Sequence, residues 1–389
     1  MLTRRQLAAG LTGAAFAAAL RSKSEAQAAR LFDSASSPLG MLLSEEQQAA
    51  GIAFLRRHAT VDVHSHPGRF FLHGVTNPTP RLQAYGKPFD EKVTRDMRAG
   101  HLGAALFSGV ADMQLLEFSA QRGLFSTREF ASGEAWGDYR RQIGVLKAMV
   151  ARKEVRTGQS PRDIEQAHRR DATAAIFAIE GGDFIEDRLD RVHQAWDDGV
   201  RSITIVHYHV NQIGDIQTAP PRHGGLTRIG AAIVREMNKV GMIVDLAHAP
   251  QSVVQGAIDV STRPMMISHT NLSSAALSHP RLVSPELARL VTGQGGIIGS
   301  IPWGIGQASF ADWIDSILRL VDVVGVDHAA IGTDMDATYM PVFTDYRLWH
   351  LIPAALLAKG LSETDTAKIT GGNFMRIFAE NMRRRSKQR

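Results

Sequence analysis

Eight short apolar runs recur along the chain, each ending in small or polar residues: TVDVHSH from 60, GAALFSG from 103, AAIFAIE from 174, SITIVHYH from 202, MIVDLAH from 242, PMMISH from 264, GIIGS from 296 and AAIGTD from 329. Their hydrophobicity is continuous rather than alternating, as a strand buried on both faces requires. Between them lie stretches with helical spacing, such as Leu226 to Val240 and Pro285 to Thr292. A β-α-β-α order calls for parallel connections, and eight units over about 280 residues predict an α/β fold, a closed (β/α)8 TIM-like barrel rather than an open doubly wound sheet. Segments 67–100 and 112–162 are longer than a minimal crossover needs, which predicts extra helices or lid insertions.

Polar chemistry collects where the runs end. Run one ends in His64 and His66, run three in Glu180, run four in His207, run five in His248, run six in His269 and run eight in Asp334. The carboxyl ends of all strands of such a barrel meet on one face, so residues spread over the whole chain become neighbours there. Side chains alternate along a strand, so His64 and His66 are expected to point the same way and share one cation. The chain has no cysteine, so a bound metal has only His, Asp and Glu as side-chain ligands. His64, His66, His248 and His269 offer four nitrogens, and Glu180 can give one oxygen to each of two cations. That set suits two zinc ions about 3.5 to 4 Å apart with a water between them made nucleophilic near neutral pH. Asp334 is left to take and return a proton.

The N-terminus reads differently from the body. Arg4 and Arg5 precede an apolar stretch, Ala8 to Leu20, and an A-x-A site at Ala26-Gln27-Ala28. This stretch of 13 residues falls short of the roughly 20 that a spanning helix needs, so residues 1–28 are expected to be a secretory leader of twin-arginine type, the mature chain to have no membrane span, and the protein to be exported to a bacterial periplasm. Residues 29–43 read as a linker. Ser44 and Gln47 form a capping box that starts a helix running to about Arg57. Residues 44–380 are expected to be a single metallohydrolase domain and 381–389 a basic tail.

The formal charge of +5 says little about partners. Residues 1–28 hold four basic residues against one acidic, and the last seven residues hold five basic ones. Without those two segments the body carries −3. No basic body remains to grip nucleic acid.

Several stretches resemble the renal (membrane) dipeptidase family, zinc-dependent β/α-barrel peptidases within the metal-dependent amidohydrolase group. They are AIEGGD around Glu180, ITIVHYHVN around His207, GGLTRIGAAIVREMNKVGMIVDLAH from 224, MISHTN around His269, HPR at 279–281, DHAAIGTDMD from 327 and LSETDTAKITGGNFMRIF near the end. The resemblance implies that Glu180 bridges two metals, with His248 and His269 on one and His64 with position 66 on the other. It implies that His207 stabilises the oxyanion, that Asp334 handles the proton, and that Arg281 holds the substrate's C-terminal carboxylate. It implies hydrolysis of a dipeptide's amide through a metal-bridging hydroxide, tolerance of a D-residue at the C-terminal position, and pairing into homodimers.

One position departs from the family pattern. The first motif there is usually His-x-Asp, whereas this chain has His64-Ser65-His66, which leaves the site one unit more positive. A related metallohydrolase acting on a lactam, a lactone or an N-acyl amino acid is therefore an alternative. A non-catalytic exported binding protein is a further one, against which Asp334 and His207 speak. A carbamylated-lysine amidohydrolase would need a lysine at the end of strand four, where this chain has His207-Tyr208-His209. The segment GDIQTAPPRH, 214–223, is expected to lie beside the His207 loop and to reshape the pocket.

Overall fold

The computed structural model describes residues 40–76, 78–119 and 121–383. The expected leader and most of the expected linker and basic tail lie outside the described residues.

All eight apolar runs form strands of one parallel sheet: β1 Val61–Ser65, β2 Ala104–Val110, β3 Ala174–Glu180, β4 Val200–Thr204, β5 Ile243–Asp245, β6 Met266–Thr270, β7 Ile297–Ser300 and β8 Ala329–Ile331. Strands neighbour one another in chain order, and each pairing in that series is parallel. The ring is nearly closed. Between β8 and β1 the seam is a single parallel bridge, Ser65 to Met335, with Asp334 N–H donating to His64 O at 2.8 Å. Buried Asp62 reinforces it by accepting from Thr333 N–H (2.9 Å), the Thr333 hydroxyl and the Tyr346 hydroxyl (3.0 Å). Burial raises the Asp62 pKa to about 6, against the opposing effect of those donors.

Two apolar layers follow from strands buried on both faces. The first gathers Val61, Val63, Leu106, Ile176, Ile243, Met266, Ile297 and Ala330 with Phe374, Ile377 and Phe378 of the helix Asn373–Met382. The second joins the other strand residues, such as Phe107, Phe177, Val244 and Ile298, to the surrounding helices. The sequence GGN at 371–373 serves this packing. Asn373 donates from its amide to Val326 O and Ala329 O (2.7 and 2.8 Å), and a Cβ on Gly371 would lie 2.7 Å from Ala59 O.

Helix boundaries follow local chemistry. The Ser44 capping box is present and starts the helix Glu45–Arg57. The helix expected from Leu226 begins two residues later, at Arg228, because Thr227 is its N-cap and accepts from Gly230 N–H at 2.9 Å. The long first crossover holds the helices Pro80–Ala84 and Asp90–Ala99. The second holds a hairpin, Leu116–Ser119 with Gly123–Ser126, and the helices Glu134–Ala151 and Pro161–His168.

Close strand packing gives a test of the barrel. A Cβ on Gly299 would lie 1.8 Å from Ser268 O and 3.1 Å from Val63 Cγ2. Gly299→Ala is expected to destabilise the protein by about 2 kcal/mol or more. Thermal unfolding checks this, and an unchanged midpoint would contradict the packing.

Candidate metal centre

The strand ends deliver five imidazoles and two carboxylates to one point. His64 lies in β1 and His269 in β6. His66 stands one residue past β1, Glu180 ends β3, and His207, His248 and Asp334 stand three residues past β4, β5 and β8. Glu180 Oε1 lies 3.5, 3.0 and 3.4 Å from the Nε2 atoms of His64, His248 and His269. Its Oε2 lies 3.3 Å from the Nε2 atoms of both His66 and His207. Asp334 Oδ1 lies 3.1 Å from His66 Nε2 and 3.7 Å from His64 Nε2. Among the described residues, three overlapping groups have donors spaced to hold a cation: His64, Glu180 and His269; His64, His66 and Asp334; Glu180, His207 and His248. His64 thus belongs with His269 as well as with His66.

Ring orientations follow from what each Nδ1 meets. His66 Nδ1 lies 2.7 Å from Ser108 O, and a carbonyl only accepts, so Nδ1 carries the proton and Nε2 faces the centre. His207 Nδ1 lies 2.6 Å from Asp112 Oδ1, while Asp112 Oδ2 accepts from the amides of Tyr208 and His209 (3.0 and 2.9 Å). Buried Asp245 organises two further rings. It accepts from the Thr204 hydroxyl (2.6 Å), Ser268 N–H (2.9 Å), Ala247 N–H (3.1 Å) and the Ser268 hydroxyl (2.6 Å). With its proton committed to Asp245, Ser268 Oγ can only accept from His269 Nδ1 (2.9 Å) and His64 Nδ1 (3.3 Å), which turns both Nε2 lone pairs inward.

Charge agrees with this wiring. Burial pushes His248 and His269 well below the ordinary imidazole value, helped by the Arg281 charge beside them. For Glu180, burial opposes ionisation, but the surrounding histidines, His207 first, outweigh it and hold its pKa well below the carboxylate range. Burial likewise opposes charge on His66 and His207, yet Asp334 and Glu180 raise the first and Asp112 and Glu180 the second. Neutral imidazoles at His248 and His269 facing an ionised Glu180 are the ligand form that divalent metals require. The residues present fit a metal.

A cavity of about 690 Å³ opens onto this centre. Its walls include Tyr85, Met113, Phe118, Leu124, Tyr208, Ile301 and Trp303, with Glu180, Asp334 and Arg281 among the charged groups. Arg281 is buried, and its Nε meets no partner while Nη1 donates to Gln217 Oε1. The sequence therefore brought forward His64, His66, Glu180, His207, His248, His269, Asp334 and Arg281, and all eight line or adjoin one cavity. It passed over Asp112, Asp245, Ser268 and Gln217. Asp112, two residues past β2, and Asp245, the last residue of β5, were open to the strand-end argument; Ser268 and Gln217 carry no local signal.

A family described as membrane dipeptidase (peptidase family M19) matches residues 53–389. Dipeptidase verJ of Clonostachys rogersoniana is 26% identical over 246 residues, 61% of this chain and 63% of that protein. Dipeptidase tcpJ of Claviceps purpurea is 35% identical over 191 residues, 47% of this chain and 45% of that protein. The chain thus spans between about half and two thirds of the length of these curated relatives. A metallopeptidase from Rhodobacter sphaeroides, solved with a phosphinate mimic of the dipeptide L-Ala-D-Ala, superposes with a TM-score of 0.68 at 18% identity, covering 83% of this chain and 99% of that one, which shows a shared fold.

The orientation of two rings by one hydroxyl is testable without turnover. Ser268→Ala is expected to weaken metal retention roughly 10- to 100-fold, read by metal titration against a competing chelator. Ser268→Thr, which keeps the hydroxyl, should recover most of it. Equal retention in the alanine variant would show that the hydroxyl does not orient the rings.

Proposed function

Because the chain belongs to the membrane dipeptidase family, we propose that it hydrolyses the amide bond of dipeptides with two divalent cations, zinc, held by His64, His66, Glu180, His248 and His269. The observation that carries this reading is the division of Glu180, whose Oε1 faces His64, His248 and His269 while Oε2 faces His66 and His207. A bridging carboxylate needs that split. Such a metal pair, when bound, polarises a carbonyl and supplies an activated water.

The chain's own groups account for the rest. His207, its ring held through Nδ1 by Asp112, donates from Nε2 to the oxygen on which negative charge develops. Asp334 takes a proton and returns it to the leaving amine. Arg281 offers its guanidinium to the substrate's C-terminal carboxylate in two-point geometry. Recognition through carboxylate and amide tolerates a D-residue at that end, a reading supported by the L-Ala-D-Ala mimic bound to the Rhodobacter sphaeroides protein. His66, where the family has a carboxylate, favours a second reading in which the substrate is a lactam, a lactone or an N-acyl amino acid.

Export is part of the proposal and rests on residues 1–28 alone. No helix among the described residues is long and apolar enough to cross a membrane. The two curated relatives compared above are fungal, which lends a bacterial periplasm no support.

Metal-loaded protein should cleave a panel of free-carboxylate dipeptides and lose that activity to chelator. If it cleaves only lactones, lactams or N-acyl amino acids, the dipeptidase reading fails. Arg281→Ala should raise KM roughly 10- to 100-fold, the worth of a charged hydrogen bond, and leave amidated dipeptides nearly unaffected. Asp334→Asn should lower kcat by about 100-fold or more while the protein keeps its metal. Steady-state kinetics with parallel metal quantification reads both.

A further inference from the structure

Segment 214–225 follows β4 and folds back on itself. Gly214 bridges Leu226, and the Asp215 carboxylate, 1% exposed, accepts the backbone N–H groups of Arg222 (2.6 Å), His223 (2.9 Å) and Gly225 (2.8 Å). Ile216, next in line, is buried in the core. Fixed from both sides, the chain presents Gln217 toward the centre. Gln217 N–H donates to His248 O at 2.8 Å, and its side-chain oxygen accepts from Arg281 Nη1. Thr218 beside it lines the cavity.

The Arg281 backbone is held separately, its carbonyl by the Thr270 hydroxyl (2.9 Å) and its N–H by His279 Nδ1 (3.2 Å). Only the guanidinium's direction is then open, and Gln217 is the group that meets it. With Nη1 engaged, the edge carrying Nε and Nη2 remains, and Nε is buried without a partner. That edge has the spacing for two parallel bonds to a carboxylate. The engaging group is also neutral. An amide oxygen fixes the guanidinium and leaves its charge for a ligand, whereas a carboxylate at 217 would cancel it.

We infer that Gln217 is a positioning residue that aims Arg281 at the substrate carboxylate, and that segment 214–225 thereby sets the enzyme's preference for a free C-terminal carboxylate. The inference rests on the role proposed above for Arg281. The same contact line runs on to the His248 carbonyl, so the carboxylate anchor and a metal-site residue share one support.

The test compares metal-loaded full-length wild type, Gln217→Ala and Gln217→Glu on a dipeptide and on its C-terminal amide. Metal content and melting temperature are recorded for each. Gln217→Ala should raise KM for the free-carboxylate dipeptide roughly three- to tenfold with kcat within twofold. Gln217→Glu, isosteric and able to fold the same way, should raise it further, and the amide should respond to neither. Wild-type preference for the free carboxylate that survives in both variants overturns the inference and leaves the dipeptidase reading standing. A wild type that shows no such preference overturns both.

Discussion

A single buried anion sets the terms for this molecule. Glu180 is 2% exposed and stands within 3.0 to 3.5 Å of five imidazole nitrogens. An ionised carboxylate in such a place costs several kcal/mol unless charge and hydrogen bonds offset it. The offsetting groups come from the ends of β1, β4, β5 and β6, so the strands must close into a ring before Glu180 is paired. The imidazoles constrain one another as well. His64 and His66 approach at 3.2 Å through Nε2, and His248 and His269 at 3.1 Å. Two bare lone pairs facing at that distance repel, so each pair requires a proton or a cation between its members. The barrel mouth is built to be completed by positive charge.

Around the imidazoles stand three buried aspartates that are members of none of the three donor groups. Asp62 joins β1 to the Thr333 turn, Asp112 joins the end of β2 to the His207 loop, and Asp245 joins β5 to β4 and β6. Each accepts backbone amides as well as side-chain protons, which is how a carboxylate is kept in an apolar interior. Each also reaches the centre at one remove: Asp62 accepts from His64 N–H at 3.3 Å, Asp112 holds the His207 ring, and Asp245 acts through Ser268. The groups that hold adjacent strands together therefore also aim the imidazoles, so strand register and site geometry cannot vary independently.

The strands and the first helix cap were legible because their signals are local. Continuous apolar runs mark two-sided burial, and Ser44 stands where an N-cap must. The strand-end histidines were legible because barrel topology converts distant positions into neighbours. His64 and His66 do converge, but strand alternation is not the cause. Register shifts between Asp62 and Ser65, β1 ends at Ser65, and His66 (φ −121°, ψ 61°) already belongs to the turn that follows. The two rings meet because the strand has ended. Ser268 and Gln217 were not legible, since their roles depend on partners 23 to 204 residues away that no local pattern specifies.

Two non-glycine residues at the centre hold left-handed backbone, His248 at φ 66° and Asp334 at φ 56°. Each costs on the order of 1 kcal/mol, and such conformations persist where the surroundings over-determine them. Asp334 is fixed by its N–H on His64 O and by its own carbonyl, which accepts from Ala337, Thr338 and the Thr338 hydroxyl; His248 is fixed by Gln217 on its carbonyl. The left-handed turn lets the chain leave a strand sharply while the side chain stays over the barrel mouth. For Asp334 this has an electrostatic consequence. A histidine at 66 brings no negative charge to this centre, and Asp334 Oδ1 sits 3.1 Å from its Nε2. The side chain at 66 is thus faced by a carboxylate held close by strained backbone from the opposite side of the barrel seam.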